Sequence, residues 1–145
     1  MSDTIPTAKD LMNPAVRTVY ANQDIEDVEF CMKMASFHHL PVLDDDQKLV
    51  GVVSERDIAY ALADKTKART PISSIMQSDV ITVPPTMPAD EIISLMIEKR
   101  IGCVPVLDTA GTIAGILTET DFLHLALAHV REKSHHYGEG TGYHR

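Results

Sequence analysis

The sequence has few of the features that mark secreted, membrane or disulfide-stabilised proteins. Cys31 and Cys103 are its only cysteines in 145 residues, and no C-x-x-C pair occurs. This argues against a disulfide or zinc framework and favours small buried side chains in a reducing compartment. No apolar run approaches the roughly 18 residues of a membrane span, and the N-terminus lacks the basic start and apolar run of a secretory signal. We therefore expect a soluble, cytoplasmic protein.

Basic charge and catalytic motifs are also scarce. Thirteen Lys and Arg residues stand against 21 Asp and Glu, giving a net charge of −8, which argues against nucleic-acid binding driven by phosphate contacts. There is no G-x-S-x-G elbow, no P-loop and no H-E-x-x-H motif, so we do not expect an enzyme. His124 and His129 lie five apart and do not share a helix face, so no metal site is predicted.

What the sequence does contain is a long repeat. The segment from Pro41 to Asp57 recurs from Pro105 to Asp121, with each paired position 64 residues later. Both copies read P-V-L-D, then a polar stretch, then G followed by two apolar residues and S/T-x-x-D. A unit of roughly 60 residues buries too little surface to be robust alone. The two copies are therefore expected to pack against each other.

Each copy is predicted to form a short turn, a strand, an amphipathic helix, a two-stranded hairpin and a second helix, from apolar periodicity and turn residues. We expect the leading turn and strand to begin the core of their own repeat. Gln47, unlike Gly111, cannot take a positive φ cheaply, so the first hairpin turn is expected to differ from the second or to be less well formed. The predicted segments are 8–12, 16–19, 24–37, 40–43, 49–53 and 55–63 in the first copy, and 72–76, 80–83, 88–100, the hairpin 103–118 and 119–132 in the second.

The domain organisation follows from this order. The predicted divisions are a lead-in (1–7), the first repeat (8–64), a charged linker (65–71), the second repeat (72–131) and a flexible tail (132–145) that holds three glycines.

This tandem pattern resembles the CBS domain, the cystathionine-β-synthase-type repeat, over roughly residues 8–130. The resemblance implies an α/β (α+β) fold in which two tandem β-α-β-β-α repeats pack pseudo-symmetrically through their sheets. It also implies two clefts between the repeats that bind adenosyl ligands such as AMP, ADP, ATP, S-adenosylmethionine or NAD. Such modules are regulatory sensors, and two of them commonly form a disc-like homodimer.

The residues at one junction agree with that chemistry. Ser54, Arg56 and Asp57 follow a predicted strand and open a helix, where free N–H groups favour an anion. A carboxylate can accept from both ribose hydroxyls, and an arginine can hold a phosphate bidentately. The S/T-x-x-D pattern equally fits a helix capping box, and both roles can coexist.

The resemblance assigns seven residues to each cleft by motif position, and the two sets differ. Arg56 in the first set corresponds to Thr120 in the second, so the Asp57 cleft is expected to be the better nucleotide site, although Arg17 and His38 could partly compensate in the other. The first set is Val52, Ser54, Arg56, Asp57, Ile81, Ile101 and Gly102, and the second is Ile116, Thr118, Thr120, Asp121, Arg17, Phe37 and His38.

Two functions are compatible with the sequence. The first is a ligand sensor that needs no cofactor, binds an adenine nucleotide as a regulatory ligand and signals to a separate effector protein. The second is a structural dimerisation module with empty or vestigial clefts.

Overall fold

The computed structural model describes residues 4–136. The two repeats form the predicted mixed α/β arrangement of helices and two small sheets. No helix in this range is long and apolar enough to cross a membrane. The elements are α1 (Ala8–Leu11), β1 (Val19–Tyr20), α2 (Ile25–Ala35), β2 (His39–Leu43), β3 (Leu49–Ser54) and α3 (Glu55–Leu62), followed by α4 (Ala89–Lys99), β4 (Cys103–Leu107), β5 (Ile113–Thr118) and α5 (Glu119–His136).

An antiparallel hairpin forms the centre of each repeat, β2–β3 in the first and β4–β5 in the second. The first strand of each hairpin also has a short parallel partner. In the first repeat β1 pairs with β2, and in the second an isolated bridge joins Val83 to Val106 of β4. The predicted strands 16–19 and 80–83 were therefore largely wrong. Most of those residues lie in irregular backbone, so β-branched composition alone overestimated the strands.

The two hairpin turns are built alike. Gln47 has φ 66° and Gly111 has φ 83°. In the first turn, Asp44 Oδ1 accepts from the backbone N–H groups of Asp46 and Lys48, at 2.8 and 2.9 Å, and Asp108 repeats this pattern in the second. The expectation of a different first turn was wrong, because the aspartate bonds are available to both turns whichever residue takes the positive φ.

The leading turns exchange between the repeats. Ile72 and Met76, from the start of the second repeat, pack into the core of the first, and Ala8 and Met12 pack into the core of the second. The backbone follows the same exchange, since Gln77 pairs with Val52 of β3. The prediction that each turn begins its own repeat's core was wrong. Val19 and Val83 do lie in their own cores.

Regular structure continues into the segments outside the repeats. The linker forms a 3-10 turn at Lys65–Lys67, and the carbonyl of Thr70 accepts from the N–H of Ile25 at the start of α2. Helix α5 continues to His136, so residues 132–136 of the predicted tail are helical. The rest of the predicted tail, 137–145, and residues 1–3 of the lead-in lie outside the described residues.

Candidate ligand-binding cleft between the repeats

Both S/T-x-x-D motifs cap helices. The N–H of Ser54 donates to Asp57 Oδ2, and the N–H of Asp57 donates to Ser54 Oγ, both at 3.0 Å. In the second repeat the N–H of Thr118 donates to Asp121 Oδ2 at 2.8 Å. The capping interpretation is therefore confirmed. Asp57 uses only Oδ2 in its cap and lines a cavity, so its other oxygen is available to a ligand.

A cavity of about 230 Å³ lies between the repeats and is lined from both. Six of the seven residues predicted for the first cleft line it, and the seventh, Arg56, lines an adjoining cavity. The six are Val52, Ser54 and Asp57 from the first repeat, and Ile81, Ile101 and Gly102 from the second.

Six of the twelve residues that line this cavity were not predicted from the sequence. His39 and Cys103 occupy equivalent strand positions, 64 residues apart, just after the motif residues His38 and Gly102, and their place in the repeat could have identified them. Gln77 reaches the cavity because its segment is exchanged between the repeats, which no local pattern indicates. The missed residues are His39, Gln77, Asp79, Val80, Arg100 and Cys103.

The adjoining cavity measures about 840 Å³ and shares four lining residues with the smaller one: His39, Ser54, Arg100 and Gly102. The two cavities are therefore adjacent. The larger one also carries Arg56, at the first turn of α3.

His38 also lines the larger cavity, in contact with Glu55. His38 Nδ1 lies 3.0 Å from Glu55 Oε1, and the N–H of Glu55 donates to the carbonyl of His38. His38 was assigned to the second cleft by motif position. The structure instead places it on the same cavity as Arg56, because α3 begins directly beside it.

The other six residues of the second set do not line either cavity. Phe37 packs against the core of the first repeat, and Ile116 pairs with Asn13. Arg17 lies exposed in the irregular segment before β1. Thr118 ends β5, and Thr120 and Asp121 lie in the first turn of α5. The second set therefore stays a prediction from motif position.

Burial keeps the cleft wall uncharged at two matched positions. It lowers the pKa of His39, as does the neighbouring His38 to a smaller extent, while Asp57, Glu119 and Glu55 act in the opposite direction. Burial, and next the charge of Asp121, raises the pKa of the Cys103 thiol to about 12. At neutral pH both side chains are therefore neutral.

The part of the chain that the structure describes has no group of three or more His, Cys, Asp or Glu side chains that could hold a metal ion.

A third cavity, of about 640 Å³, is a largely apolar groove between α4 and α5. Ile97 and Leu123 line this groove and are 72% and 67% exposed.

Two capped hairpin repeats that share a cleft define a tandem-repeat α/β module. The family model of the CBS domain matches residues 8–64 and 72–128. The chain belongs to the CBS domain family.

Three similar proteins illustrate the range of relatives. L-aspartate semialdehyde sulfurtransferase of Methanocaldococcus jannaschii is 33% identical over 125 residues, covering 86% of this chain and 24% of that enzyme. The solved CBS domain pair of protein MJ0100, in complex with 5-methylthioadenosine and S-adenosyl-L-methionine, has a TM-score of 0.79 and 31% identity, covering 86% of this chain and 98% of that one. CBSX2 in complex with AMP has a TM-score of 0.73 and 26% identity, covering 85% of this chain and 97% of that one. The chain spans about a quarter of the length of the first curated relatives that it matches.

Proposed function

We propose that this protein is a non-catalytic, cytoplasmic sensor that binds an adenosyl ligand in the cleft between its two repeats. Ligand binding changes the relative orientation of the repeats, and a separate effector chain responds to that change. Such coupling requires the ligand to bind one orientation more tightly than the other.

One observation carries the proposal: a single cavity is lined by Ser54 and Asp57 from one repeat and by Ile81 and Ile101 from the other. The apolar side chains suit the faces of an adenine ring. The free oxygen of Asp57 suits a ribose hydroxyl, and the N-terminus of α3 favours an anion. Ligands bound to the similar CBS pairs described above support an adenosyl compound.

The first cleft is the proposed site, and the second is the weaker one. Arg56 lines the cavity adjacent to the first cleft, whereas Thr120 at the equivalent position carries no charge. His38, which motif position assigned to the second cleft, lines that larger cavity as well, which supports the first cleft as the stronger site.

We further propose that the protein is a homodimer. Ile97 and Leu123 form an exposed apolar pair over the groove between α4 and α5, and such a surface in water favours association. This surface would serve equally in the alternative function, a dimerisation module whose clefts bind nothing.

A thermal-shift screen with AMP, ADP, ATP, NAD and S-adenosylmethionine separates the two functions. A ligand present at about 100 times its dissociation constant adds roughly 2.7 kcal/mol to the stability of the folded state. We expect at least one adenosyl ligand to raise the melting temperature, and Asp57→Asn to reduce that shift. If no ligand in the screen shifts the melting temperature, the dimerisation module is the better description.

A further inference from the structure

The groove between α4 and α5 has a counterpart between α2 and α3, because the repeat offset of 64 residues relates the two pairs of helices. Three apolar residues line the α4–α5 groove, whereas charged or small residues stand at the equivalent positions and line the 840 Å³ cavity. The apolar residues are Ile93, Ile97 and Leu123, and their equivalents are Glu29, Lys33 and Ala59. The fold therefore presents two matched grooves of different chemistry, one apolar and one charged.

The charges of the α2–α3 groove are paired within their own chain. Lys33 Nζ lies 3.6 Å from Glu29 Oε2, one helical turn away on α2. Apolar surface packed over this pair would desolvate both charges, which is costly. The first repeat also has exposed large apolar residues, but these do not line its groove; they are Phe30, Met34 and Tyr60. The α2–α3 groove is thus a poor match for the apolar groove of the second repeat.

Two opposite charges stand together at one end of the α4–α5 groove. Arg100 follows the C-terminus of α4, and Glu119 begins α5. The N–H of Glu119 donates to the carbonyl of Gly102, which places the start of α5 beside the end of α4. Arg100 and Glu119 are exposed and line the groove. Neither takes part in an ion pair within 4.0 Å among residues 4–136, so both charges are available to another molecule.

A groove with this composition is complementary to itself. In a two-fold interface, every contact from one residue to another is repeated in the opposite direction. If α4 of each copy lies along α5 of the other, Arg100 faces Glu119 of the second copy and Ile97 faces Leu123. Apolar surface is then removed from water, and each charge at the end of the groove gains a partner of opposite sign. Contact with the charged groove of the first repeat would provide neither match.

We propose that the α4–α5 groove binds the same groove of a second copy of this chain, with Arg100 of each copy paired to Glu119 of the other. The inference rests on the proposed homodimer and goes further, because it specifies which faces meet and which charges join them. The second repeat of one chain therefore contacts the second repeat of the other.

Reversing one charge at a time tests this contact. Arg100→Glu and Glu119→Arg each put like charges at both symmetry-related positions, so each variant alone should raise the dimer dissociation constant at least about tenfold. An equimolar mixture of the two variants should return to within about threefold of wild type, because both positions of the mixed dimer again carry opposite charges. A variant that had lost dimerisation through misfolding would gain nothing from mixing. Sedimentation equilibrium of the full chain, without added ligand, measures these constants.

Lys99→Glu is the matched control. It makes the same charge reversal at the adjacent exposed residue, which lines none of the three cavities, and it should leave the dissociation constant near wild type. Equal losses for Arg100→Glu and Lys99→Glu, a reversal at either groove position that leaves the dimer intact, or a mixture that stays monomeric would overturn the paired contact, while a homodimer through another face would stand. If wild type is itself monomeric, a different molecule covers the groove, and the proposed homodimer fails together with this inference.

Discussion

Met76 of the second repeat lies directly over Gly51 of the first, so close that a Cβ atom on Gly51 would overlap the methionine side chain. Met12 and Gly115 make the same contact in the opposite direction. Each repeat thus closes its core with a segment from the other. This exchange ties the two cores together, because each contains a segment of the other repeat.

Gly51→Ala is expected to destabilise the protein by about 1–3 kcal/mol, because the added methyl group overpacks a tight contact. The backbone carbonyl of Gln77, 3.1 Å from the position of that Cβ, restricts relief by movement of Met76 alone. Chemical denaturation measures the free energy of unfolding. Gly102→Ala is the control, since its Cβ would make only ordinary contacts of 3.5 Å or more, and it should cost less than about 0.5 kcal/mol. Similar losses for both variants would contradict the packing argument.

Asp57→Ala and Asp121→Ala should affect stability alike but ligand binding differently. Both remove a capping carboxylate, at a cost of about 1 kcal/mol each. Only Asp57 lines the 230 Å³ cleft, so we expect Asp57→Ala to weaken AMP and ATP binding about tenfold or more, and Asp121→Ala to change it less than about twofold. Isothermal titration of both variants is the measurement, and equal losses of affinity would rule out a difference between the clefts.

Stability should decrease as the pH falls below the ordinary pKa of histidine. Burial, and to a smaller extent His38, lowers the pKa of His39 from 6.5, so the unfolded chain takes up a proton at a higher pH than the folded protein does. The contribution of His39 is therefore fully present above about pH 6.5 and is lost as the pH falls through the folded-state pKa. Melting temperatures measured between pH 8 and 5 should fall less for His39→Asn than for wild type. His129→Asn, on the exposed face of α5, should follow wild type, and parallel curves for all three proteins would contradict the prediction.

Leu123→Glu should convert the proposed homodimer into a monomer. The substitution places a charge on an apolar surface that is 67% exposed in the single chain, where it costs little in the monomer and prevents burial in a dimer. Size-exclusion chromatography with light scattering measures the mass. Ile5→Glu, at another exposed apolar residue, should leave the dimer intact. A dimeric Leu123→Glu protein would place the interface elsewhere.

Local patterns predicted the elements around the cleft well. The helix predicted over 24–37 is observed as Ile25–Ala35, and the hairpin strands 40–43 and 49–53 are observed as His39–Leu43 and Leu49–Ser54. These elements depend on apolar periodicity and turn residues close in the chain. The short strands before the helices failed because their pairing depends on a partner strand more than on their own composition.

The sequence by itself determined the duplicated unit, the capped helix that follows each hairpin, the family, and six of the residues that line the first cleft. All of these depend on residues within a few positions of one another or on a spacing repeated along the chain. Only the tertiary structure decided that the leading turns exchange, that His38 lies beside Glu55 and that Arg100 faces the same cavity as Arg56. Those relationships depend on contacts between residues that are distant in the chain. Hydrophobic burial is non-directional, so it specifies no particular partner for a residue until the two cores have formed.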